Sequence, residues 1–282
     1  MPVYEETYRS WHGHLDARPL TWLVIAKTGV QLLWKKWMII LTILAFGSCI
    51  GHGVYVYIVA RGVEQLGVGK VVKGFQIGPN FFEEFIMRHW LLLIIVLMLA
   101  GAGIVANDRK FKALAIYFSK PVSFWDYTVG KFFVMGFYGC LVTLVPCLLL
   151  FMFRVLLATD TTYLKQYYWI LFSIAGYSFL IMVALGCLML AISASARGTR
   201  SAAIFYFTLI YFPELFRQIL SRVPEVGLIS LKADLKQTGS LFFGLERPYY
   251  FSLWLGLGVL LGVILLCIGV LRMKVRPTEV VR

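Results

Sequence analysis

Met38-Ile39-Ile40-Leu41-Thr42-Ile43-Leu44-Ala45-Phe46-Gly47-Ser48-Cys49-Ile50-Gly51-His52-Gly53-Val54-Tyr55-Val56-Tyr57-Ile58-Val59-Ala60 holds no Asp, Glu, Lys or Arg, and eleven of its residues are Leu, Ile, Val or Phe. Those eleven side chains favour insertion into a bilayer by roughly 3 to 7 kcal/mol, which outweighs Ser48 and His52. A hydrocarbon layer of about 30 Å needs about 20 mostly apolar residues in helix, so the stretch reads as a membrane span. The same ruler finds further spans at 90–106, 132–153, 167–193, 202–220 and 251–271. The fifth of the six is interrupted by Pro213, Glu214 and Arg217. It is expected to cross only as far as Tyr211 and to continue as a broken or re-entrant segment, since irregular backbone at membrane depth must face protein or water.

Working outward, the whole chain has the same character. Of its 282 residues 60% are hydrophobic and 15% charged, and its mean hydropathy is +0.80; a soluble fold of this length could not cover so much apolar surface. The net charge of +13 suits anionic lipid headgroups, and no basic stripe is free to follow a nucleic-acid backbone. Cys49, Cys140, Cys147, Cys187 and Cys267 all fall in apolar runs without CxxC or Cys/His spacing, which points to helix packing rather than to disulfides or a metal. Arg9, His12, His14, Asp16 and Arg18 precede any long apolar run, unlike a cleavable signal peptide, so the N-terminus is expected to stay where it is made.

With six spans, 16 of the 27 Lys and Arg fall on the side of both termini and 11 on the other, and the acidic residues divide 6 to 8. The positive-inside rule then puts both termini in the cytoplasm. Residues 21–37 read as a helix in the membrane interface, with Trp22, Val30, Leu33, Trp34 and Trp37 as anchors and Lys27, Gln31 and Lys35 as a polar stripe; the alternative is an extension of the first span. The expected architecture is an all-α membrane protein: a tail and interfacial amphipathic helix over 1–37, six transmembrane helices over 38–271, and a cytoplasmic tail over 272–282.

The stretch 107–131 has the parts of a rigid elbow. Phe111, Leu114, Ala115 and Phe118 fall on one helical face, Pro121 stops that helix, and Ser123-x-x-Asp126 is a capping box that starts the next. Asp108, Leu114, Ser119, Pro121, Val122, Ser123, Asp126, Gly130 and Lys131 match, position by position, the first cytoplasmic loop of ABC-2 transporter permeases, which the chain resembles. The six-span layout and the short loop Ser193-Ala194-Ser195-Ala196-Arg197 resemble that class too. Lys110 and Lys112 depart from it, making the loop more basic. The resemblance implies an exporter subunit of a prokaryotic inner membrane. Asp108, Phe111, Leu114, Pro121, Ser123 and Asp126 would receive motion from two ATP-binding cassette subunits, which bind the ATP and Mg, and a second permease chain would complete the pore.

No ATPase is legible in the chain. Gly67-Val68-Gly69-Lys70 lacks the spacing and the Ser/Thr of a Walker A loop. Glu83-Glu84-x-x-x-Arg88 and Phe85-x-x-x-His89 superficially match intramembrane metalloproteases of the CAAX class, but no histidine follows His89 to complete a metal site; a solvated ion pair at the membrane edge fits Glu83, Glu84 and Arg88 better. His12 and His14 lack further ligands. His52 could line a path or bond a neighbouring helix, the second being preferred, and Gly47-x-x-x-Gly51 suggests close helix packing beside it. In the fifth span Phe205, Thr208, Phe212 and Phe216 form a stripe that the resemblance makes a possible pathway lining, against lipid contact or core packing. Glu214 should pair with Arg217 or Gln218 or face water, as a charge at membrane depth must, and is the polar candidate at the outer mouth. A reading from another class is a non-transporting anchor or assembly factor that recruits an ATPase; a channel or secondary transporter would need more ionisable residues in mid-span.

Overall fold

The structure, a computed structural model, describes residues 20–66, 77–119, 122–158, 162–220 and 224–275; Pro121, the pair His12 and His14, the 67–70 stretch and everything beyond Val275 lie outside them. In chain order the helices are α1 Thr21–Leu33, α2 Lys36–Leu66, α3 Pro79–Arg88, α4 Trp90–Gly101, α5 Ala106–Lys110, α6 Ala113–Phe118, α7 Phe124–Val142, α8 Leu144–Leu157, α9 Thr162–Tyr167, α10 Trp169–Ser195, α11 Thr199–Ile219, α12 Leu231–Phe242 and α13 Leu253–Lys274, with a 3-10 turn at Pro224–Ile229. The described residues contain no strand. Five helical stretches among them are long and apolar enough to cross a membrane: Lys36–Ala60, Trp90–Lys110, Phe124–Leu157, Tyr163–Ser195 and Leu253–Lys274. This is the pattern of an integral membrane protein.

Local sequence explains where these columns bend. Pro146 has no N–H for the carbonyl of Val142 and its ring crowds that group, and the column breaks at Thr143, between α7 and α8. Between α1 and α2 the backbone leaves the helix at Trp34 (ψ 67°), so Thr21–Leu33 is a separate helix and only Lys36 and Trp37 join the first span. Ala26 is buried, and α1 lies along α7, with Trp22 and Phe133 5.5 Å apart and the Tyr138 hydroxyl donating to the Val30 carbonyl over 2.8 Å. Gly130 permits the approach, because a β-carbon there would come within 2.8 Å of the Trp22 carbonyl oxygen. Lys27 and Gln31 are exposed on the far side.

The column α10 is the centre of the packing, burying Ile174, Tyr177, Ile181, Leu185 and Met189 against α4, α7, α8, α11 and α13. By contrast α2 and α13 leave Ile43, Leu44, Ile50, Leu261, Leu265 and Leu266 exposed, as a surface facing lipid requires. The molecule has two ends. At one, α5 and α6 meet the start of α7 and the close of α10; at the other, α3 and α12 fold in beside the start of α10, where Ser173 Oγ donates to the Phe242 carbonyl over 2.6 Å.

Two expectations are corrected. The fifth segment is not broken at Pro213: α11 continues through it to Ile219. One proline removes a single helical hydrogen bond and bends a helix without necessarily ending it, and the fork of Glu214 with Arg217 and Gln218 requires helical spacing on its far side. At 21 residues, α11 is about 31 Å long and runs between the same two ends as the five apolar columns, although it is less apolar than they are, with Pro213, Glu214 and Arg217 in its second half. What folds back into the protein is α12. The second correction concerns Gly47 and Gly51, since no side chain or neighbouring element among the described residues would lie within 4 Å of a β-carbon at either. They mark an opening rather than a contact within the chain.

Candidate functional site

The elbow is built on a break in helical hydrogen bonding. Where α4 gives way to α5, the freed amides of Val105 and Ala106 each donate to Ser193 Oγ over 3.1 Å, and that hydroxyl donates to the Ala102 carbonyl over 3.0 Å. Arg109 caps the end of α10 by donating to the Ala194 carbonyl, one of the orphan acceptors of any helix C-terminus. Thr199 Oγ1 donates to Asn107 Oδ1 over 3.0 Å. The elbow is therefore fastened to the α10–α11 connection, the short loop singled out in the sequence.

Its second fastening is a charge pair. Lys131 Nζ lies 2.7 Å from Asp108 Oδ2, which also accepts from the Tyr127 hydroxyl over 2.8 Å. The same ammonium sits 5.4 Å from the ring centroids of both Tyr117 and Tyr127, so α5, α6 and α7 share one cation. A lysine this buried is stable only when paired. At the start of α7 the capping box is complete: Asp126 N donates to Ser123 Oγ and Ser123 N to Asp126 Oδ2, each over 3.1 Å. Asp108, Leu114, Ser123 and Asp126 thus lie in one small structure, and Pro121 falls outside the described residues. Phe111 does not join the face that Leu114 and Phe118 turn to the core. Lys112 adopts a left-handed conformation (φ 56°) that splits α5 from α6 and leaves Phe111 71% exposed beside Lys110, 5.5 Å from its ring. Sequence reading missed Tyr117 and Tyr127 as partners and Lys131 as a site residue. Lys131 stood in the loop match without a role, and its spacing of four from Tyr127 on one face of a helix was the signal that could have joined the two.

The candidate pathway residues divide into two groups. His52 lies on α2 against α3: its Nδ1 is 2.8 Å from the Ser48 carbonyl and its Nε2 3.5 Å from Arg88 Nη1. It lines a cavity of about 820 Å³ that contains no residue of α11. Phe205, Thr208 and Phe212 are exposed on the outward face of α11, with Phe216 5.9 Å from Phe212. None of them lines the cavity at His52, and α2 packs on α8, α4 and α7 whereas α11 packs on α10, α4, α5 and α12.

Glu214 is 6% exposed and fully engaged. Arg217 donates to it through Nε over 2.9 Å and Nη2 over 2.7 Å, Gln218 adds a third bond, and the Ser230 hydroxyl, which also caps α12, donates to it as well. Arg217 stacks over Tyr249 at 5.2 Å. The expected pairing is present, and it braces α11 to α12. Deeper in α12, Gln237 holds the Tyr249 and Phe251 backbone, while both carboxyl oxygens of Asp234 lack a partner among the described residues. Burial pushes Asp234 up to about 8. Glu83 on α3, expected to be solvated, is instead buried and raised by desolvation too, partly offset by Lys236; only Glu84 and Arg88 form the expected exposed pair, at 3.4 Å.

Among the described residues no group of three or more His, Cys, Asp or Glu is placed to hold a metal ion. No protein-family model matches the chain, and no curated protein matches it.

Proposed function

We propose that the chain is the permease subunit of an ATP-driven transporter of ABC-2 type, an exporter, coupled through 107–131 to a separate ATP-binding cassette ATPase. The observation that carries this reading is the construction of the elbow. A short helical bracket sits at one end of the apolar columns, is locked by the Asp108–Lys131 pair and the Ser123–Asp126 cap, and is bonded to both α10 and α11. A bracket so held transmits a push as a lever does. Its free surface offers Phe111 and Ile116, both largely exposed, amid Lys110 and Lys112, an apolar and basic face suited to a cytosolic partner. Two such partners bind ATP and Mg.

Six spans are part of the proposal. The start of α1 lies beside Gly130 near the elbow, and Arg272 near the close of α13 lies 6.0 Å over the Trp125 ring. The start of α1 and the close of α13 therefore lie at the same end, which favours an even number of traverses, with α11 as the sixth. Its exposed face with Phe205, Thr208 and Phe212 is available to a second permease chain. Both termini then lie in the cytoplasm of a prokaryotic cell.

The test is isolation of the tagged chain from its native membrane in mild detergent. An ATP-binding cassette subunit should co-purify in equal amount, and reconstituted vesicles should show ATP-dependent flux. A chain that purifies with no nucleotide-binding partner contradicts the reading, and ATPase activity without flux favours an anchor instead.

A further inference from the structure

The cavity between α2 and α3 has features that neither the elbow nor the span count explains. Gly51 lies on its wall, and a β-carbon there would meet no neighbouring element within 4 Å among the described residues, so the helix surface is low where the space opens. His52 Nδ1 faces a carbonyl, which only accepts; Nδ1 therefore carries the proton and Nε2 presents its lone pair to Arg88. Arg88 is held by two long contacts, 3.5 Å to His52 and 3.4 Å to Glu84, and its side chain is 64% exposed. Two of five guanidinium donors are engaged among the described residues, which leaves three, enough for the two parallel bonds of a bidentate phosphate contact.

The same two helices also supply an aromatic lining. Tyr55 stacks on Phe81 at 6.0 Å and 12°, and Phe85 meets the His52 ring edge-on at 5.0 Å. A volume of about 820 Å³ falls within the usual range of small-molecule sites, roughly 300–1,000 Å³, and far exceeds the needs of a bare ion. Arg88 stands two residues before the apolar column that begins at Trp90, the depth at which lipid headgroups meet hydrocarbon.

We propose that this cavity binds a phosphate-bearing amphiphile of phospholipid type, its phosphate on the Arg88 guanidinium and its glycerol and upper acyl carbons against Tyr55 and Phe81. His52 and Glu84 are positioning residues that hold the guanidinium over the opening. The site belongs to the single chain and does not depend on an ATPase partner, so its failure and that of the transporter reading are separable.

The test uses the full chain in an uncharged maltoside detergent, with adducts counted by native mass spectrometry during titration with dihexanoyl phosphatidylglycerol, dihexanoylglycerol or inorganic phosphate. The phospholipid should bind saturably, at least tenfold more tightly than either the phosphate-free lipid or inorganic phosphate. Arg88→Gln, which removes the charge, and Gly51→Leu, which fills the space, should each weaken it tenfold or more, while Lys27→Gln leaves it unchanged. Both sites are open to solvent or empty space, and a single monodisperse elution peak checks that the variants fold. Equal phospholipid binding by wild type and both variants would mean only lipid adhering to the apolar exterior, and inorganic phosphate binding as tightly as the phospholipid would mean a plain anion site. Either result overturns the proposal.

Discussion

Asp234 is 0% exposed with both carboxyl oxygens unpartnered among the described residues, and desolvation pushes it up to about 8. In the unfolded chain it ionises near its ordinary value of about 4. Between those values the folded state holds a proton that the unfolded state has lost, so the contribution to stability is complete below about pH 4 and falls as pH rises through about 8. Asp234→Asn keeps the shape and removes the titration. The variant should therefore gain on wild type in thermal unfolding as pH is raised from 5 to 9, and parallel profiles would show that Asp234 is ionised in the folded protein. Sequence reading could not find this residue. A lone Asp in a polar helix reads as solvated, and only the fold reveals that α13 covers it. Glu214 was legible by contrast, because its partners lie three and four residues along the same helix.

At the scale of elements, the elbow was legible wherever its signals are local. Ser123 and Asp126 stand three apart and cap the helix that the spacing predicts. The Asp108–Lys131 pair joins different helices, and no local rule connects the two residues. Lys112 in the left-handed region was equally hidden, because nothing in its neighbours calls for that conformation, and it is why Phe111 leaves the expected face. Replacing one member of a buried pair leaves the other uncompensated, at about 3–5 kcal/mol, whereas removing both costs far less. Asp108→Asn and Lys131→Met should each lower unfolding stability in detergent, and the double variant should recover more than half of the larger loss. Additive losses would mean that the 2.7 Å contact contributes little.

At the scale of the whole molecule, apolar run length predicts six columns, and five of them correspond to helices long and apolar enough to cross a membrane. The sixth, α11 in the reading proposed above, carries Pro213, Glu214 and Arg217, three residues that depress hydropathy even though helix spacing lets the charges pair. The inward fold of α12 was not legible, since its buried polar side chains resemble those of an exposed loop. An even number of traverses predicts opposite exposure for the elbow and for α12. In a Cys-free variant, cysteine at Lys110 should label only from the cytoplasm and cysteine at Lys232 only from outside; labelling of both from one side contradicts six spans.

The account as a whole rests on the elbow receiving work from an ATPase. Ser123→Ala should cost about 1 kcal/mol of helix-end stability, and with Asp126→Ala it removes the box without touching the apolar columns. The decisive measurement is ATP turnover of the co-purified complex carrying that double variant, beside Lys27→Gln on the exposed face of α1. The account predicts that permease-dependent turnover falls several-fold for the elbow variant at unchanged membrane content and stays at the wild-type level for Lys27→Gln. Wild-type turnover in the elbow variant, with the chain stably inserted, would contradict it.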